Sequence, residues 1–345
     1  MELFRESEAP KFLVGDYTVH GQFDSGSFGD IYLATSLYNG EDVAIKMERA
    51  DAPHKQLAYE YRVYKAIRPA LGLPQIYYFC ERTEYRALVM ELLGPSLDHL
   101  FELCSRQFTM KTVLMLADEM VQRLEQVHSR GFVHRDVKPR NILIGRNLSC
   151  KRLHLIDFGL SKKCWDPITS THIPYREDRT LTGTARFTSI NSHEGLEQSR
   201  RDDLISMGYM LIYFLRGKLP WQGIRASTKH QKYERIYEMK QSVSNEVLCQ
   251  GLPSEFAMYL NYCYQLAFDA EPDYKMVRKM FRQLTIKLQC KMNQIYDWEM
   301  LSINYHRNQA NPASGRRARS KARCHKDNAS SGYPIIFNEK CNRWD

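Results

Sequence analysis

The first ninety residues alternate apolar and polar positions in short runs, which is typical of strands in a half-buried β-sheet. Four such runs lie at residues 17–19, 31–34, 43–45 and 86–90. Between the third and fourth runs, Leu57, Tyr64 and Ile67 recur at helical spacing and predict one helix over residues 54–68. This part of the chain is therefore predicted to be mostly sheet with a single helix.

Beyond Gly94 the pattern becomes helical. Residues 113–127 carry apolar side chains three and four positions apart, and Gly131 is placed to end that helix. Residues 204–215 are apolar on nearly every side, which predicts a helix buried in a core. Further helices are predicted at residues 259–266 and 276–288.

These elements predict an α+β protein with two lobes and no internal repeat. We expect a short lead over residues 1–16 and one domain over residues 17–301. The domain divides into a sheet lobe at 17–92, an antiparallel sheet with one helix, and a larger helical lobe at 93–301. Residues 302–345 are rich in Arg, Ala, Ser and Asn and are predicted to form a disordered tail.

Composition places the chain among soluble globular proteins, with 43% hydrophobic and 26% charged residues in a length of 345. Nine scattered cysteines without a C-x-x-C pair argue against a disulfide framework or a zinc site and favour a reducing compartment. The acidic start lacks the features of a secretory signal, and the longest apolar run is too short to span a bilayer. We therefore predict a cytoplasmic protein without membrane partners.

The formal charge of +9 is concentrated in the predicted tail. Residues 302–345 contain nine Lys and Arg against three Asp and Glu, so the rest of the chain carries only about +3. The basic run at 316–323 admits a nuclear-localisation role, and nuclear location stays open beside the cytoplasm. Nucleic-acid binding through this run is the weaker interpretation, because such runs are most often solvated.

The sequence HRDVKPRN at residues 134–141 is followed by DFG at 157–159, which is the spacing of a protein kinase catalytic loop and metal-binding turn. Phosphoryl transfer needs an aimed nucleophile and neutralised phosphate oxygens. Asp136 would accept the substrate hydroxyl proton, and Lys138 would stand near the transferred group. Asn141 and Asp157 would hold Mg²⁺.

Two further features fit a site for ATP. The glycine-containing turn at residues 25–31 lies between two predicted strands, where backbone amides can approach phosphate oxygens, although such a turn alone is weak evidence. Lys46 ends the run VAIK and would contact phosphates. Glu60 lies on the apolar stripe of the predicted helix, where a carboxylate is costly unless paired, so we predict a Lys46–Glu60 ion pair.

Lys138 and Thr184, the latter in the Thr-Gly-Thr run at 182–184, favour serine or threonine as the acceptor. Asp202 and Asp203 begin the predicted buried helix and fit an ordinary acidic helix start. In the kinase interpretation, Asp203 instead holds the backbone of the catalytic loop.

Several runs resemble the casein kinase 1 family from about Tyr17 to Trp298. They are ELLGPSL at 91–97, LTGTARFTSIN at 181–191, EQSRRDD at 197–203 and LPWQG at 219–223. The SIN run at 189–191 stands where most kinases have Ala-Pro-Glu. The resemblance implies a bilobal kinase fold with ATP in the cleft, Met90 as gatekeeper and Glu91 to Leu93 as hinge.

The resemblance also implies a constitutively active monomer that phosphorylates acidic or already phosphorylated Ser/Thr segments. The residues that would contact ATP are Phe23, Asp24, Ser25, Gly26, Ser27, Phe28, Gly29, Asp30, Ile31, Ala44, Lys46, Met90, Glu91, Leu93, Leu143 and Ile156. The basic residues that would bind substrate anions are Arg186, Lys229 and Lys232 in one set and Arg135, Lys162 and Arg179 in another.

The chain departs from that family at three positions. Asp24 replaces the first glycine of the loop and puts a carboxylate near the nucleotide, Arg140 replaces an acid, and Phe187 replaces a tyrosine. Asp24 therefore leaves open a second interpretation, a catalytically weak pseudokinase that acts as a binding or scaffold protein.

Overall fold

The computed structural model describes residues 12–26, 29–146, 151–290, 295–301 and 303. Within them a sheet lobe precedes a larger, mostly helical lobe, which confirms the predicted α+β class and its order. The predicted disordered tail lies almost entirely outside the described residues, and its domain boundary stays a prediction.

The sheet lobe is built on one antiparallel six-stranded sheet with the strand order β1-β2-β3-β4-β6-β5. Its strands are β1 Phe12–Val14, β2 Tyr17–Gly26, β3 Gly29–Ser36, β4 Asp42–Arg49, β5 Ile76–Glu81 and β6 Tyr85–Glu91. Alternate residues of these strands, among them Val19, Ala34, Ile45 and Val89, are buried in a small core on one face.

One helix, α1 (Leu57–Ile67), crosses this lobe between β4 and β5. It begins three residues later than predicted because the buried Glu48 carboxylate accepts hydrogen bonds from the backbone N–H groups of Gln56 at 2.6 Å and Leu57 at 3.1 Å. These contacts satisfy donors that have no partner within the helix. Glu60 faces inward from its first turn and is 1% exposed.

The helical lobe contains eight α-helices in the described residues. They are α2 Leu97–Leu103, α3 Met110–Ser129, α4 Ile190–His193, α5 Arg200–Arg216, α6 Lys229–Ser242, α7 Asn245–Leu248, α8 Ser254–Gln265 and α9 Tyr274–Lys287. The predicted helices at 113–127 and 204–215 are thus confirmed as parts of α3 and α5. Those at 259–266 and 276–288 are confirmed as α8 and α9, each of which ends one residue earlier than predicted. Gly131, with a φ of +83°, follows the end of α3 as predicted.

Short paired strands flank the loops of this lobe that contain the predicted motifs. They are β7 Phe132–Val133, β8 Ile142–Ile144, β9 Leu153–Leu155, β10 Lys162–Lys163, β11 Trp165–Asp166 and β12 Thr171–His172. β7 pairs with β10, and β8 pairs with β9, all antiparallel. The HRD loop therefore runs between β7 and β8, and the DFG turn between β9 and β10.

The larger core reaches from the helical lobe into the sheet lobe. It joins buried residues of α3 and α5 to Ala44 and Met90 on the cleft side of the sheet. Among the described helices none is long and apolar enough to cross a membrane. All six described cysteines are free thiols.

Candidate active site

A buried aspartate, Asp203 in the first turn of α5, holds the loop that contains Asp136. Its carboxylate accepts hydrogen bonds from the backbone N–H groups of His134 at 2.7 Å and Arg135 at 2.8 Å, and from His128 Nε2 at 2.8 Å. Burial alone would raise the pKa of Asp203, but the hydrogen bond and charge of His128 hold that pKa below its usual value. The predicted contact between Asp203 and the loop backbone is confirmed.

Both carboxylate oxygens of Asp136 are fixed by hydrogen bonds. Oδ1 accepts from the backbone N–H of Thr184 at 2.9 Å and from its hydroxyl at 2.7 Å. Oδ2 accepts from Lys138 Nζ at 2.6 Å and from the Asn141 side-chain amide at 3.3 Å. The side chain is thus oriented at the cleft end of the loop, with an ammonium group beside it.

Thr184 reaches Asp136 because a glycine precedes it. Gly183 has a φ of +96°, and a Cβ there would lie 2.3 Å from the Arg135 carbonyl oxygen. A larger residue would therefore force the two loops apart. The sequence interpretation used Thr184 and missed Gly183, although the Thr-Gly-Thr run at 182–184 was the available signal.

Lys46 lies between two carboxylates. Its Nζ is 2.6 Å from Glu60 Oε2 and 2.9 Å from Asp157 Oδ1. Burial alone would lower the pKa of Lys46, but the two carboxylates raise it above its usual value. Burial would likewise raise the pKa of Asp157, whereas Lys46 holds it lowered. The predicted Lys46–Glu60 pair is present, and the charged forms of Lys46 and Asp157 are favoured. For Glu60, burial outweighs the effect of Lys46 and raises the pKa above its usual value.

Aromatic packing behind Asp157 sets its direction. Its backbone N–H donates to the Tyr64 hydroxyl at 3.2 Å, and its own φ is +67°, an uncommon left-handed conformation. Phe158 is buried against the Tyr64 ring at 5.1 Å and the His134 ring at 4.9 Å. Tyr64 was predicted only as a core residue, because nothing in its local pattern shows a partner on another loop.

Asn141 and Asp157 offer the oxygen ligands that a magnesium ion prefers. Asn141 uses its amide nitrogen toward the Asp136 carbonyl at 2.9 Å, so its amide oxygen is the atom that a metal would take. Among the described residues no group of three or more His, Cys, Asp or Glu side chains is arranged to hold a metal alone. Mg²⁺ is usually bound through one or two carboxylates together with substrate phosphates, and Asn141 and Asp157 stay its predicted ligands.

The walls of the cleft are apolar. Ala44 in β4 lies opposite Met90 in β6 in the sheet register, and Phe23 and Ile31 pack against the same core. These four predicted nucleotide-binding residues therefore belong to one apolar cluster. Such a cluster suits the flat face of an adenine ring.

The remaining predicted cleft residues lie at the junction of the lobes. Glu91 ends β6, and Leu93 follows it in the connection to the helical lobe. Leu143 in β8 and Ile156 after β9 are half-buried on the helical-lobe side. The Ile156 backbone N–H donates to the Asn141 carbonyl at 3.0 Å, which joins this wall to the predicted metal ligand.

The glycine turn between β2 and β3 is braced by its own side chains. Asp30 accepts hydrogen bonds from Gln22 Nε2 and Ser25 Oγ, both at 2.9 Å. Gly29 has a φ of +148°, and a Cβ there would lie 2.3 Å from the Met47 carbonyl oxygen. Gly26 ends β2 and pairs with Gly29, whereas the predicted residues Ser27 and Phe28 lie outside the described residues.

Two of the departures noted above meet across the cleft. Arg140 Nη2 donates both to Asp24 Oδ1 and, at 2.9 Å, to the Ser25 carbonyl oxygen. Asp24 Oδ1 also accepts from the Ser25 backbone N–H at 2.8 Å. The carboxylate that was predicted to repel a triphosphate is therefore paired with a cation. Sequence reasoning missed this pair because its members are 116 residues apart.

The first predicted anion-binding set is placed on and beside α6. Lys229 and Lys232 are exposed on its first two turns. The Arg186 guanidinium lies 5.6 Å from the ring centres of Phe187 and Tyr213, which orients it on an aromatic surface. Phe187 therefore keeps the ring that Arg186 uses, although it lacks a tyrosine hydroxyl.

The second set surrounds a carboxylate that the sequence interpretation did not use. Glu197 is 1% exposed, and its Oε2 lies 2.7 Å from Lys162 Nζ and 3.0 Å from Arg179 Nε. Arg135 Nε donates to the Leu160 carbonyl at 2.6 Å. The three cations carry more positive charge than the Glu197 carboxylate offsets, but Lys162 and Arg179 are already paired with that carboxylate.

The SIN run is tied to α5 in place of an Ala-Pro-Glu segment. The Ser189 hydroxyl donates to Asp202 Oδ1 at 2.6 Å, and the Asn191 side-chain amide donates to the same oxygen at 3.0 Å. Ser189 also accepts from the Ser192 backbone N–H at 3.2 Å and thereby begins α4. Asp202 is thus a structural anchor rather than only an acidic helix start.

A second buried lysine holds the segment that follows Thr184. Lys240 of α6 is 2% exposed, and its Nζ donates to the carbonyl oxygens of Ala185, at 2.9 Å, and of Thr188. It lies 5.2 Å from the centres of the Tyr209 and Trp221 rings. Burial lowers the pKa of Lys240 well below its usual value. No local sequence pattern indicates this contact.

The two-lobed fold and the carboxylate, lysine and glycine-turn constellation in its cleft define a phosphotransferase. A family model described as protein kinase domain matches residues 17–285, most of the chain. The chain therefore belongs to the protein kinase family, and its architecture is the α+β bilobal kinase fold. This membership supports ATP binding, divalent metal use and phosphoryl transfer to proteins.

Proposed function

We propose that this protein is a serine/threonine protein kinase that uses Mg²⁺-bound ATP. The observation that carries the proposal is the Asp136 carboxylate, which is held on one oxygen by Thr184 and on the other by Lys138. This arrangement leaves the carboxylate aimed into the cleft, with a positive charge beside the position where phosphate charge would develop.

The residues of the chain have separable roles in this proposal. Asp136 accepts the proton of a serine or threonine hydroxyl, and Lys138 stabilises charge on the transferred group. Lys46, fixed by Glu60, contacts the phosphates. When bound, ATP with Mg²⁺ supplies the phosphoryl group and part of the charge neutralisation, and Asn141 and Asp157 would hold the metal.

The test is transfer from radiolabelled ATP to serine, threonine and tyrosine peptides by wild type and Asp136→Asn. We expect labelled serine or threonine, and a loss in Asp136→Asn of about 10²–10⁴-fold, the usual contribution of a general base. The urea midpoint of unfolding should change little, because Asn keeps the size of the side chain. Wild-type turnover in Asp136→Asn would overturn the proposal.

A pseudokinase remains the alternative, and Asp24 was the residue that favoured it. The structure weakens this alternative, because Arg140 pairs with Asp24 and reduces its repulsion of a triphosphate. Transfer by wild type in the same assay, lost in Asp136→Asn, would exclude it.

We further propose acidic or phosphorylated substrate segments, in keeping with the resemblance to the casein kinase 1 family. Support comes from Arg186, oriented on its aromatic surface, and from the exposed Lys229 and Lys232. A phosphate on the substrate carries nearly two charges and three acceptor oxygens, which such cations can hold by charge-assisted hydrogen bonds. Holding it there would position a nearby hydroxyl at Asp136.

The double change Arg186→Ala, Lys232→Ala tests this substrate preference. Losing one contact of this kind costs roughly 1.5–3 kcal/mol, or about one to two decades in kcat/KM, so the double change should lower kcat/KM on a phosphorylated peptide by at least that much. An unphosphorylated control peptide should lose much less. Equal losses on both peptides would mean that the two side chains have a structural role only.

A further inference from the structure

We infer that Arg140 is a positioning residue for the nucleotide loop, which it holds through Asp24 in an interlobe strap. We use the term strap for the contacts of Arg140 with the Asp24 carboxylate and the Ser25 carbonyl oxygen. The inference deepens the proposed function, since it concerns the same nucleotide site, but it rests only on nucleotide binding and not on phosphoryl transfer.

The strap joins the two lobes at the mouth of the cleft. Asp24 and Ser25 belong to β2 at its end near the glycine turn, and Arg140 lies in the 3-10 turn Pro139–Asn141 of the catalytic loop. One guanidinium nitrogen contacts both a carboxylate and a backbone carbonyl oxygen. It therefore restrains the path of the β2 backbone and not only one side chain.

The catalytic-loop end of the strap is anchored by the residue next to Arg140. Arg140 is followed directly by Asn141, which is 4% exposed and bonded to the Asp136 carbonyl at 2.9 Å. The β2 end is also braced, because Ser25 donates to Asp30 Oδ1 at 2.9 Å. A contact between two braced ends limits how far the loop can swing from the nucleotide site, and less ordering is left for binding to impose.

The sign of the Asp24 charge makes this inference testable. Without a partner, Asp24 would repel the phosphates and weaken binding. With Arg140 beside it, the negative charge of Asp24 is offset, and the contact between the two side chains holds the nucleotide loop in place. Removing the Asp24 charge should therefore weaken nucleotide binding when Arg140 is present and strengthen it when Arg140 is absent.

The experiment is a four-member cycle of the full chain: wild type, Asp24→Asn, Arg140→Gln and the double variant. Asn retains an oxygen for the Ser25 N–H, which Asp24 now accepts at 2.8 Å, so the substitution removes charge rather than the local turn. The readout is the affinity and dissociation rate of a fluorescent ADP analogue with Mg²⁺. Both side chains are about half exposed, so all four proteins should fold, as circular dichroism would verify.

We expect Arg140→Gln to weaken binding and speed dissociation by about two- to five-fold, the size of an exposed ion pair. Asp24→Asn should weaken binding less in the wild-type background, and should improve it in the Arg140→Gln background. These differences should shrink at about 0.5 M salt, because exposed charges are screened.

An effect of Asp24→Asn with the same sign and size in both backgrounds would overturn the strap. Unchanged binding in Arg140→Gln would do so as well. The proposed function is tested separately, by phosphoryl transfer. If wild type binds the nucleotide normally but transfers no phosphate, the proposed chemistry is wrong. The strap is then still tested by the binding measurements on the four variants.

Discussion

Lys46 and Lys240 are buried to nearly the same extent, yet their surroundings differ completely. Lys46 is 6% exposed and lies between the carboxylates of Glu60 and Asp157. Lys240 is 2% exposed and has backbone carbonyl oxygens and aromatic rings as neighbours. As a result the pKa of Lys46 is raised, whereas that of Lys240 is lowered.

The comparison shows that the partners of a buried cation, and not burial itself, decide its charge. Opposite charges offset the desolvation of Lys46, so it keeps a full positive charge where phosphates would bind. Carbonyl dipoles and ring faces offset only part of that cost for Lys240. We therefore assign Lys46 to chemistry and Lys240 to holding the segment with Ala185 and Thr188.

The largest expected effect comes from removing the lysine that has two charged partners. Lys46→Met leaves Glu60 buried without its cation, a change that typically costs about 3–5 kcal/mol of unfolding free energy. It also removes a phosphate contact, which should lower kcat/KM by about 10²–10³-fold or more. Urea denaturation and the peptide assay measure the two effects.

The matched control is the double variant Lys46→Met, Glu60→Leu, which removes both members of the buried pair. It should recover much of the lost stability but none of the activity, because the fully buried Glu60 charge is gone and only the partly exposed Asp157 still lacks its cation. If the double variant were less stable than the single one, the ion pair would not be the cause of the instability.

Lys240→Met should have a smaller effect on stability, because no carboxylate loses its partner. Two buried carbonyl oxygens lose a donor, so we expect a cost of about 1–3 kcal/mol. Activity should change mainly through a higher KM for the peptide, since the segment that Lys240 holds follows Thr184. The exposed Lys275→Met on α9 is the control, with a stability change within about 0.5 kcal/mol. A higher KM for ATP alone would contradict this assignment.

The contrast between these lysines also explains what the sequence could predict. Lys46 and Glu60 are 14 residues apart in motifs whose chemistry requires a pair, and the pair was predicted. Helix α6 was missed because it has only two buried residues, Ile236 and Lys240, so it shows no apolar stripe.

Contacts between distant loops could not be predicted from local sequence patterns either. The partners of Asp24 and of Glu197 come from other segments, and neither residue carries a signal of its partner. The lobes were predictable because alternation and helical spacing are local, whereas the charge pairing of the cleft mouth depends on how the lobes meet.

The last prediction concerns pH, because the pKa values of the two lysines are shifted in opposite directions. For Lys240 the folded pKa lies below the unfolded value of 10.5. Between these two values the unfolded chain binds the extra proton, so unfolding free energy rises with pH, by at most about 1.4 kcal/mol per unit. For Lys46 the folded pKa is raised, so its contribution to stability is complete below pH 10.5 and is lost only as pH rises through the folded value.

Urea denaturation between about pH 7 and 10 should therefore show wild type gaining stability relative to Lys240→Met, whereas its difference in stability from Lys46→Met stays flat. The neighbouring His193 does not interfere, because burial and the Lys240 charge lower its pKa to about 4. A flat difference for Lys240→Met would mean that carbonyl and ring contacts offset burial fully, and the two lysines would then be alike in charge.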